Sequence, residues 1–598
     1  MENGDNSDQK LQPPLSIPGG TILTDTLLQI FEYSLLDKVY SESTDNDPVR
    51  LINSLLDHLH LKIDLPDDDL KNIPAEGPFL AVSNHPFRGI DSMLLFKLLH
   101  EKRPDFKIMG SHLLWNIEPL RNIILPVNTY ESSNLVKSSL SGVRLSLEHL
   151  RNGHCLGIFP TAEDSKHWEA PRIILDREWK PTALKFIKFA NVPVIPVYFH
   201  GTKSRLSQII GRISPLLPDS ELPSELVNKR RPTIKMRIGA PISLKEQSEF
   251  KDPEQFGRYL RARVYSLGSR IESKNPAATS GKRRKQKTEP VVERAQVNVL
   301  IEEFDRIRTD YELFTTKNYS LVCAPADVIP NIFHEIGRQR EITFREVGEG
   351  TNKSIDIDEF DMYYYHLFIW DTEDNRLVGA YRLGKGKEIV NIYGVKGFYI
   401  NSLFNIRNSF APILSESLEL GRSFITREYQ KKAIPLFLLW KGIMIFLLKH
   451  SEYRYLIGPV SISNDLSQFS KSLIVEFIRT YFYDENLSSE VTPKKDFVVK
   501  PDKVIDHKIF IDSSEKDITK IERIIIDIEP GYRIPILLKK YLEINGKIVG
   551  FNIDPKFNNC LDGLLILDVY SVPREFLQGL SREMNDPSIL ERFSRYPH

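Results

Sequence analysis

The stretch VSNHPFRGIDSM, residues 82–93, sets a histidine and an aspartate six positions apart in an otherwise apolar segment. The residues before it, FLAV, read as a buried strand. Pro86 and Gly89 force a loop, and DSMLLFKLL then begins a helix with Asp91 near its cap. The same order recurs downstream. HCLGIFP reads as a buried strand, SSNLVKSSLSGVRLSLEHLRNG as a helix ending at Gly153, and ALKFIKFANVPVIPVYFHG as helix then strand. This alternation predicts an α/β fold from residue 78 onward.

The chain has 598 residues, too many for one core, so about three to four domains or two large ones are expected. Lys plus Arg equals Asp plus Glu at 80 each, which argues against a nucleic-acid binder driven by overall charge. Cys155, Cys323 and Cys560 lie far apart without metal-ligand spacing; no metal site is expected, and a reducing cytosol is the simple reading. The polar start MENGDNSDQK is not a signal peptide. The longest apolar run, 434–450, is broken by Lys441 and is shorter than the ~20 residues a transmembrane helix needs. No span is expected, and contact with a membrane surface stays open.

Residues 1–20 read as a disordered tail, 21–270 as a first α/β domain, 271–294 as a linker and 295–598 as a second α/β domain. The linker holds a basic run, 282–287, expected to be solvated; beside anionic lipid it would add roughly 1 kcal/mol of attraction per residue. In the second domain YHLFIWDT and LVGAYRLG read as strands joined by the turn EDNR. AIPLFLLWKGIMIFLLKH, apolar nearly all round, reads as a buried helix, and YRYLIGPVSIS as another strand.

A carboxylate just beyond the loop at His85 can fix the imidazole tautomer and stabilise the imidazolium, making the other nitrogen a general base. A helix-capping Asp91 beside a loop histidine would use the same residues. Two further strands run into polar loops: GIFPTAEDS, 157–165, and VPVIPVYFHGTKSR, 192–205. Loops at strand ends are where α/β proteins build sites.

These three ordered blocks, within residues 70–245, resemble the glycerolipid and lysophospholipid acyltransferase superfamily. Asn84-His85-Pro86 with Asp91 is similar to its His-to-Asp block, Phe159-Pro160 with Glu163 and Ser165 to its Phe-Pro block, and Val192 to Val197 to its last strand. Five residues separate His85 from Asp91 where the common pattern has four, and Thr161 stands where the pattern has Glu. The resemblance implies that His85 deprotonates an acceptor hydroxyl that attacks an acyl thioester, with Asp91 orienting it. Asn84, Arg88, Phe159, Pro160, Glu163, Ser165, Lys203 and Arg205 are the implied substrate-binding residues.

In the second domain Asp358 and Asp361 precede an aromatic strand, and Arg382 ends the next. SESLELGRSFI, 415–425, places Glu416, Glu419 and Arg422 at steps of three, which on a helix share one face. A surface helix with salt bridges fits that spacing equally. As a series, Asp-x-x-Asp, Val-Gly-x-Tyr-Arg-Leu and Glu-Leu-x-Arg resemble the acyl-homoserine-lactone synthase-like branch of the GNAT fold, nearest its hemolysin-type, ornithine-lipid N-acyltransferases. The resemblance covers most of 295–575, including GPVSISND and GFNIDPKFNNCLDGLLILDV. It implies Asp361 and Glu419 as the acids that hold an ammonium and take its proton. It implies Asp358, Arg382, Glu416 and Arg422 as substrate-binding, with Arg345 joining them and Arg338 or Arg340 as alternatives by register. The phosphate-binding loop usual in GNAT enzymes is not evident, which suits an acyl-carrier-protein donor over coenzyme A.

The expected whole is two α/β domains, a glycerolipid-acyltransferase-like fold followed by a GNAT fold. It resembles bacterial bifunctional ornithine-lipid or glycine-lipid synthases. The second domain would N-acylate an amino acid with a 3-hydroxyacyl group, and the first would O-acylate the resulting lyso-lipid. Implied partners are acyl carrier protein, the amino acid, the lyso-aminolipid and the inner face of the bacterial cytoplasmic membrane, touched peripherally, with HLLWNIEPLRNIILPV, 112–127, as either a membrane-facing or a core segment. No tightly bound cofactor is expected. The rival readings are a lysophosphatidate acyltransferase with an inactive second domain, and a non-catalytic carrier- or lipid-binding protein.

Overall fold

The computed structural model describes residues 47–87, 89–111, 115, 118–127, 136–161, 168–169, 174–176, 179–202, 232–269, 271, 288–432, 434–500 and 504–593. The expected tail at 1–20 and the basic run at 282–287 lie outside these residues. The chain forms two compact units that divide after Ile271.

The first unit is an α/β sheet structure. Its strands are β1 (Lys62–Asp64), β2 (Leu80–Ser83), β3 (Lys107–Ser111), β4 (Ile124–Val127), β5 (Leu156–Ile158), β8 (Val194–Phe199) and β9 (Thr233–Ile238), with β6 (Trp168–Glu169) and β7 (Ile174–Leu175) as a separate ribbon. The sheet order is β1-β9-β8-β2-β5-β3-β4. All neighbours are parallel except β8 and β9. Every residue of β2, β5 and β8 is buried, as expected of parallel strands covered on both faces. The helices are α1 (Pro48–His58), α2 (Ile90–Lys102), α3 (Val136–Arg151), α4 (Pro181–Ala190) and α5 (Pro253–Ser266). Asp47 caps α1 by accepting from Val49 N at 2.9 Å, and α1 buries Leu51, Ile52 and Leu55 in the core that also takes Phe79, Leu95 and Phe199. Because β8, β2 and β5 are adjacent and parallel, their C-terminal ends, from which the three stretches singled out in the sequence continue, lie at the same end of the sheet.

In the segment 112–127 the described aliphatics Leu120, Ile123 and Ile124 are core residues, and Trp115 packs against the same core under Arg121. They do not form an outward apolar face. Among the described residues no helix is long and apolar enough to cross a membrane.

The second unit is built on an eight-stranded sheet of order β10-β11-β12-β13-β15-β16-β19-β18. The strands are β10 (Glu312–Thr316), β11 (Tyr319–Pro325), β12 (Tyr365–Asp371), β13 (Arg376–Lys385), β15 (Ser417–Ile425), β16 (Tyr455–Ile462), β18 (Lys547–Asp554) and β19 (Cys560–Asp568); β14 (Phe404–Ile406) and β17 (Val491–Pro493) pair separately. The expected turn at EDNR joins β12 to β13, with Asn375 at φ +48°. Helices α6 (Val297–Tyr311) and α7 (Pro330–Glu346) share a core with β11 and β12, and α8 (Ile434–Lys449) is the all-round apolar helix. Residues 288–294, expected in the linker, are tied to this unit by Glu289 N to Asn352 O and Val292 N to Ser354 O, both 3.0 Å.

The helical reading of 415–425 is corrected: residues 417–425 form strand β15, because pairing on both sides in the sheet outweighs the helix preference of Leu and Glu, and only Ser415 belongs to a short helix, Ala411–Ser415. All sheet neighbours here are antiparallel except β15 and β16. That parallel pair lasts only from Ser417–Tyr455 to Glu419–Ile457, after which the strands part. Gly458 sits at the fork; a Cβ there would lie 2.1 Å from Leu420 O, so the close approach requires glycine.

Candidate active sites

In the first unit β2 delivers His85 to the sheet edge, and α2 begins at Ile90 with Asp91 fully buried in its first turn. Asp91 accepts from Phe87 N (2.9 Å), Gly89 N (3.0 Å) and Ser92 N (3.0 Å). The same carboxylate stands 2.8 Å from His85 Nδ1. Asp91 therefore caps the loop and orients the histidine at once; the two sequence alternatives are not exclusive. The five-residue spacing is accommodated by Gly89 at φ +121°, a conformation L side chains rarely adopt. With Nδ1 held by a carboxylate, proton transfer falls to Nε2.

Phe159, at the end of β5, lies with its ring 4.6 Å from the His85 ring. Pro160 is buried, and its carbonyl accepts from Lys180 N at 3.0 Å. Asn84 is not placed to bind substrate: its side chain accepts from Phe199 N (2.7 Å) and donates to Phe199 O (2.9 Å), clipping the ends of β2 and β8 together. Arg88, Glu163, Ser165, Lys203 and Arg205 lie outside the described residues. Sequence reasoning missed Asp176. It accepts from His85 N (3.0 Å) and Trp179 Nε1 (3.3 Å), its own amide donates to Tyr265 Oη (2.9 Å), and Arg261 donates to its carbonyl (3.0 Å). Burial raises its carboxyl above the ordinary value, against the pull of the His85 amide. A lone aspartate in PRIILDREW gave no periodic or motif signal for this role.

In the second unit three aspartates and three arginines close an alternating ring. Arg340 bridges Asp356 (3.1 Å) and Asp361 (2.8 Å); Arg382 bridges Asp361 (3.1 Å) and Asp358 (2.6 Å); Arg422 bridges Asp358 (3.4 Å) and Asp356 (3.2 Å). The 3+ and 3− formal charges cancel inside the fold. Asp358 and Asp361 also cap each other's turn reciprocally. Burial opposes the charge on Asp361, but Arg340 and Arg382 overcome it and hold its carboxyl far below the usual range. Asp361 is thus a fixed anion and a poor proton acceptor.

Arg340, not Arg345, joins this ring. Arg345 is spent on Glu341 (2.6 Å) and on the carbonyls of Glu289 and Lys353. Glu416 is exposed at the turn before β15, where its carbonyl accepts from Arg454 N (2.7 Å), and it does not reach the ring. Arg422 reaches it through a bulge. Between Ala380–Phe424 and Arg382–Gly421, β15 carries one residue more than β13, and Arg422 takes φ +49°. On a regular strand a step of three would put Glu419 and Arg422 on opposite faces; the extra residue brings both to Tyr399. Arg422 Nη1 donates to Tyr399 Oη (3.2 Å), while Tyr399 N and Ile400 N donate to Glu419 (3.1 and 2.8 Å). Tyr364 Oη also donates to Glu419. Burial pushes Glu419 up to about 7 against these donors.

Beyond the fork between β15 and β16 lies a cavity of ≈ 340 Å³, lined by Leu420 to Ser423, Leu456 to Ser461, Tyr399 and, across from them, Glu349, Asp554 and Asp562. Arg422 is the ring member that lines it. Asp361 and Glu419 do not; Glu419 instead holds the backbone of Tyr399, which does.

Residues 60–272 match the acyltransferase family, and residues 339–440 match the acetyltransferase (GNAT) domain. A glycine N(alpha)-acyltransferase of Phocaeicola vulgatus is 31% identical over 227 residues, 36% of this chain and 69% of that protein. A lyso-glycine lipid O-acyltransferase of Bacteroides thetaiotaomicron is 24% identical over 250 residues, 40% of this chain and 88% of that protein. Among solved structures, the 1-acyl-sn-glycerophosphate acyltransferase of Thermotoga maritima aligns at 17% identity and a TM-score of 0.24 over 42% of this chain and 93% of that one. The chain is an acyltransferase: it belongs to the family of GNAT-type N-acyltransferases, here joined in one polypeptide to an O-acyltransferase-type unit.

Proposed function

We propose that this chain makes a two-chain glycine lipid by two successive acyl transfers. The second unit joins a 3-hydroxyacyl group to the amine of glycine; the first esterifies the new hydroxyl with a second acyl chain. The observation that carries this reading is the pairing in one chain of a His85–Asp91 dyad at a sheet edge with a forked β15–β16 cavity. The relatives named for glycine N-acylation and for lyso-glycine lipid O-acylation support the two substrates.

In the first step the acyl thioester lies in the fork, where unpaired backbone groups past Glu419 meet its carbonyl. Pro459 brings no N–H to that fork, so β15 is the side that supplies donors. The charge ring keeps Arg422 and Tyr399 rigid on the cavity wall, and Glu419 anchors Tyr399 from behind. The donor is an acyl carrier protein; the segment after β15, TREYQKKA at 426–433, holds no glycine with which to wrap a nucleotide pyrophosphate. In the second step His85 takes the proton of the lyso-lipid hydroxyl as it attacks the second thioester, and Asp91 stabilises the imidazolium. No covalent enzyme intermediate is needed in either step. The amphiphilic intermediate places the protein at the inner face of the bacterial cytoplasmic membrane without a span.

The test is a lipid mass spectrum of a host lacking aminolipids, with and without this gene. A new two-chain lipid with a glycine fragment is expected. A new lipid with another amino-acid fragment overturns the glycine assignment, and a change confined to phosphatidate species overturns the two-step reading.

A further inference from the structure

Three carboxylates that neither the charge ring nor Glu419 uses line the forked cavity: Glu349 beyond α7, Asp554 at the end of β18 and Asp562 in β19. Asp554 and Asp562 are each only 2% exposed. Asp562 Oδ1 accepts from Ser461 Oγ (2.7 Å) and Cys560 Sγ (3.5 Å); among the described residues no hydrogen bond reaches Oδ2. Arg422 is the one cation among the described residues that line the cavity, and it is already paired with Asp356 and Asp358. Buried acids in such numbers leave an unmet demand for positive charge. No three of the described His, Cys, Asp or Glu side chains converge closely enough to hold a metal ion. An ammonium group needs only one carboxylate within hydrogen-bond reach, and the other acids attract it over a longer range.

We propose that Asp562, with Asp554 and Glu349, seats the ammonium of the amine acceptor, and that Asp562 Oδ2 takes its first proton. This inference rests on the reading of the second unit as an amino-acid N-acyltransferase. The ammonium gives one proton to Asp562, and the neutral nitrogen attacks the thioester carbonyl carbon. The C–N bond forms and the C–S bond breaks; the nitrogen's second proton goes to the departing thiolate, and Asp562 returns its proton to water. Burial, reinforced by Asp554 and Glu349, lifts the Asp562 carboxyl to about 7, which suits a group that must accept and release a proton near neutrality. Burial raises Asp554 and Glu349 as well.

Two measurements on the full chain test it. The first is N-acylation of glycine from a 3-hydroxyacyl thioester by the wild type, Asp562→Asn and Asp554→Asn. Asp562→Asn should lose about tenfold or more in both kcat and affinity for glycine, and Asp554→Asn mainly in KM, as loss of a charge-assisted contact predicts. Wild-type turnover with both variants within about twofold overturns the inference and leaves the proposed function standing. The second measurement needs no turnover: the rise in melting temperature with methylammonium chloride over sodium chloride. A rise in the wild type that Asp562→Asn abolishes supports the seat even if glycine is not the acceptor. No rise, or the same rise in the variant, overturns it. Asn is isosteric and removes a buried charge, so a folded variant is expected, and its melt checks this.

Discussion

His85 Nδ1 stands 2.8 Å from Asp91 Oδ1, and that carboxylate is simultaneously the cap on three backbone amides of the loop that carries the histidine. Orientation of the ring and closure of the loop are therefore one interaction. His85→Gln should lower O-acylation by about 10²–10⁴-fold, the range for loss of a general base, and accumulate the single-chain hydroxy lipid with N-acylation unchanged. Asp91→Asn should show the same accumulation. Product ratios by mass spectrometry check both; undiminished two-chain lipid from His85→Gln removes the dyad from the chemistry.

Gly89 should not tolerate a side chain. Its φ of +121° is what lets an extra residue fit between His85 and Asp91, and open space around it means that clash is not the issue. Gly89→Ala should cost about 1–3 kcal/mol of backbone strain and pull Asp91 from His85. The expected readout is a loss of O-acylation with N-acylation kept; equal loss of both would point to general unfolding instead.

Arg340 answers for two buried aspartates, Asp356 and Asp361. Arg340→Ala leaves both buried carboxylates short of a partner, and breaking a buried pair this way costs about 3–5 kcal/mol. The second unit should melt early while the first is unaffected. Arg345→Ala, which touches Glu341 outside the ring, should leave N-acylation within about twofold if the ring lacks it as described.

Glu419 makes stability depend on pH in a defined window. Burial raises its carboxyl from an ordinary 4.5 to about 7, so the folded state holds a proton that the unfolded chain releases. Its contribution is full below 4.5 and is lost as pH rises toward 7, by up to about 3 kcal/mol. Asp562 titrates over a similar window. The melting temperature of the second unit should fall across that window, and Glu419→Gln should flatten the fall; an unchanged slope would place the titration elsewhere.

Much of this was written in local sequence. The strand-loop-helix unit at 82–93, the buried strands on either side of it and the hairpin at EDNR follow from apolar period and turn chemistry, which act over a few residues. The dyad followed too, because loop closure needs only neighbours. At Glu416, Glu419 and Arg422 local reasoning failed: Leu and Glu favour helix, and only sheet pairing makes β15 a strand. Arg340 could not be separated from Arg345 by spacing, since either could face Asp361 until α7 was packed.

What the sequence alone determined was the α/β character of both units and the residue types for two acyl transfers. What tertiary structure decided was which carboxylates line the cavity. The bulge at Arg422 brought that arginine to the cavity wall, Glu419 was spent on the backbone of Tyr399, and the β18–β19 hairpin brought Asp554 and Asp562 to the same cavity as Arg422, well over a hundred positions earlier. A pattern in the chain reports the face of an element; only the register and bulges of the folded sheet report what that face looks onto.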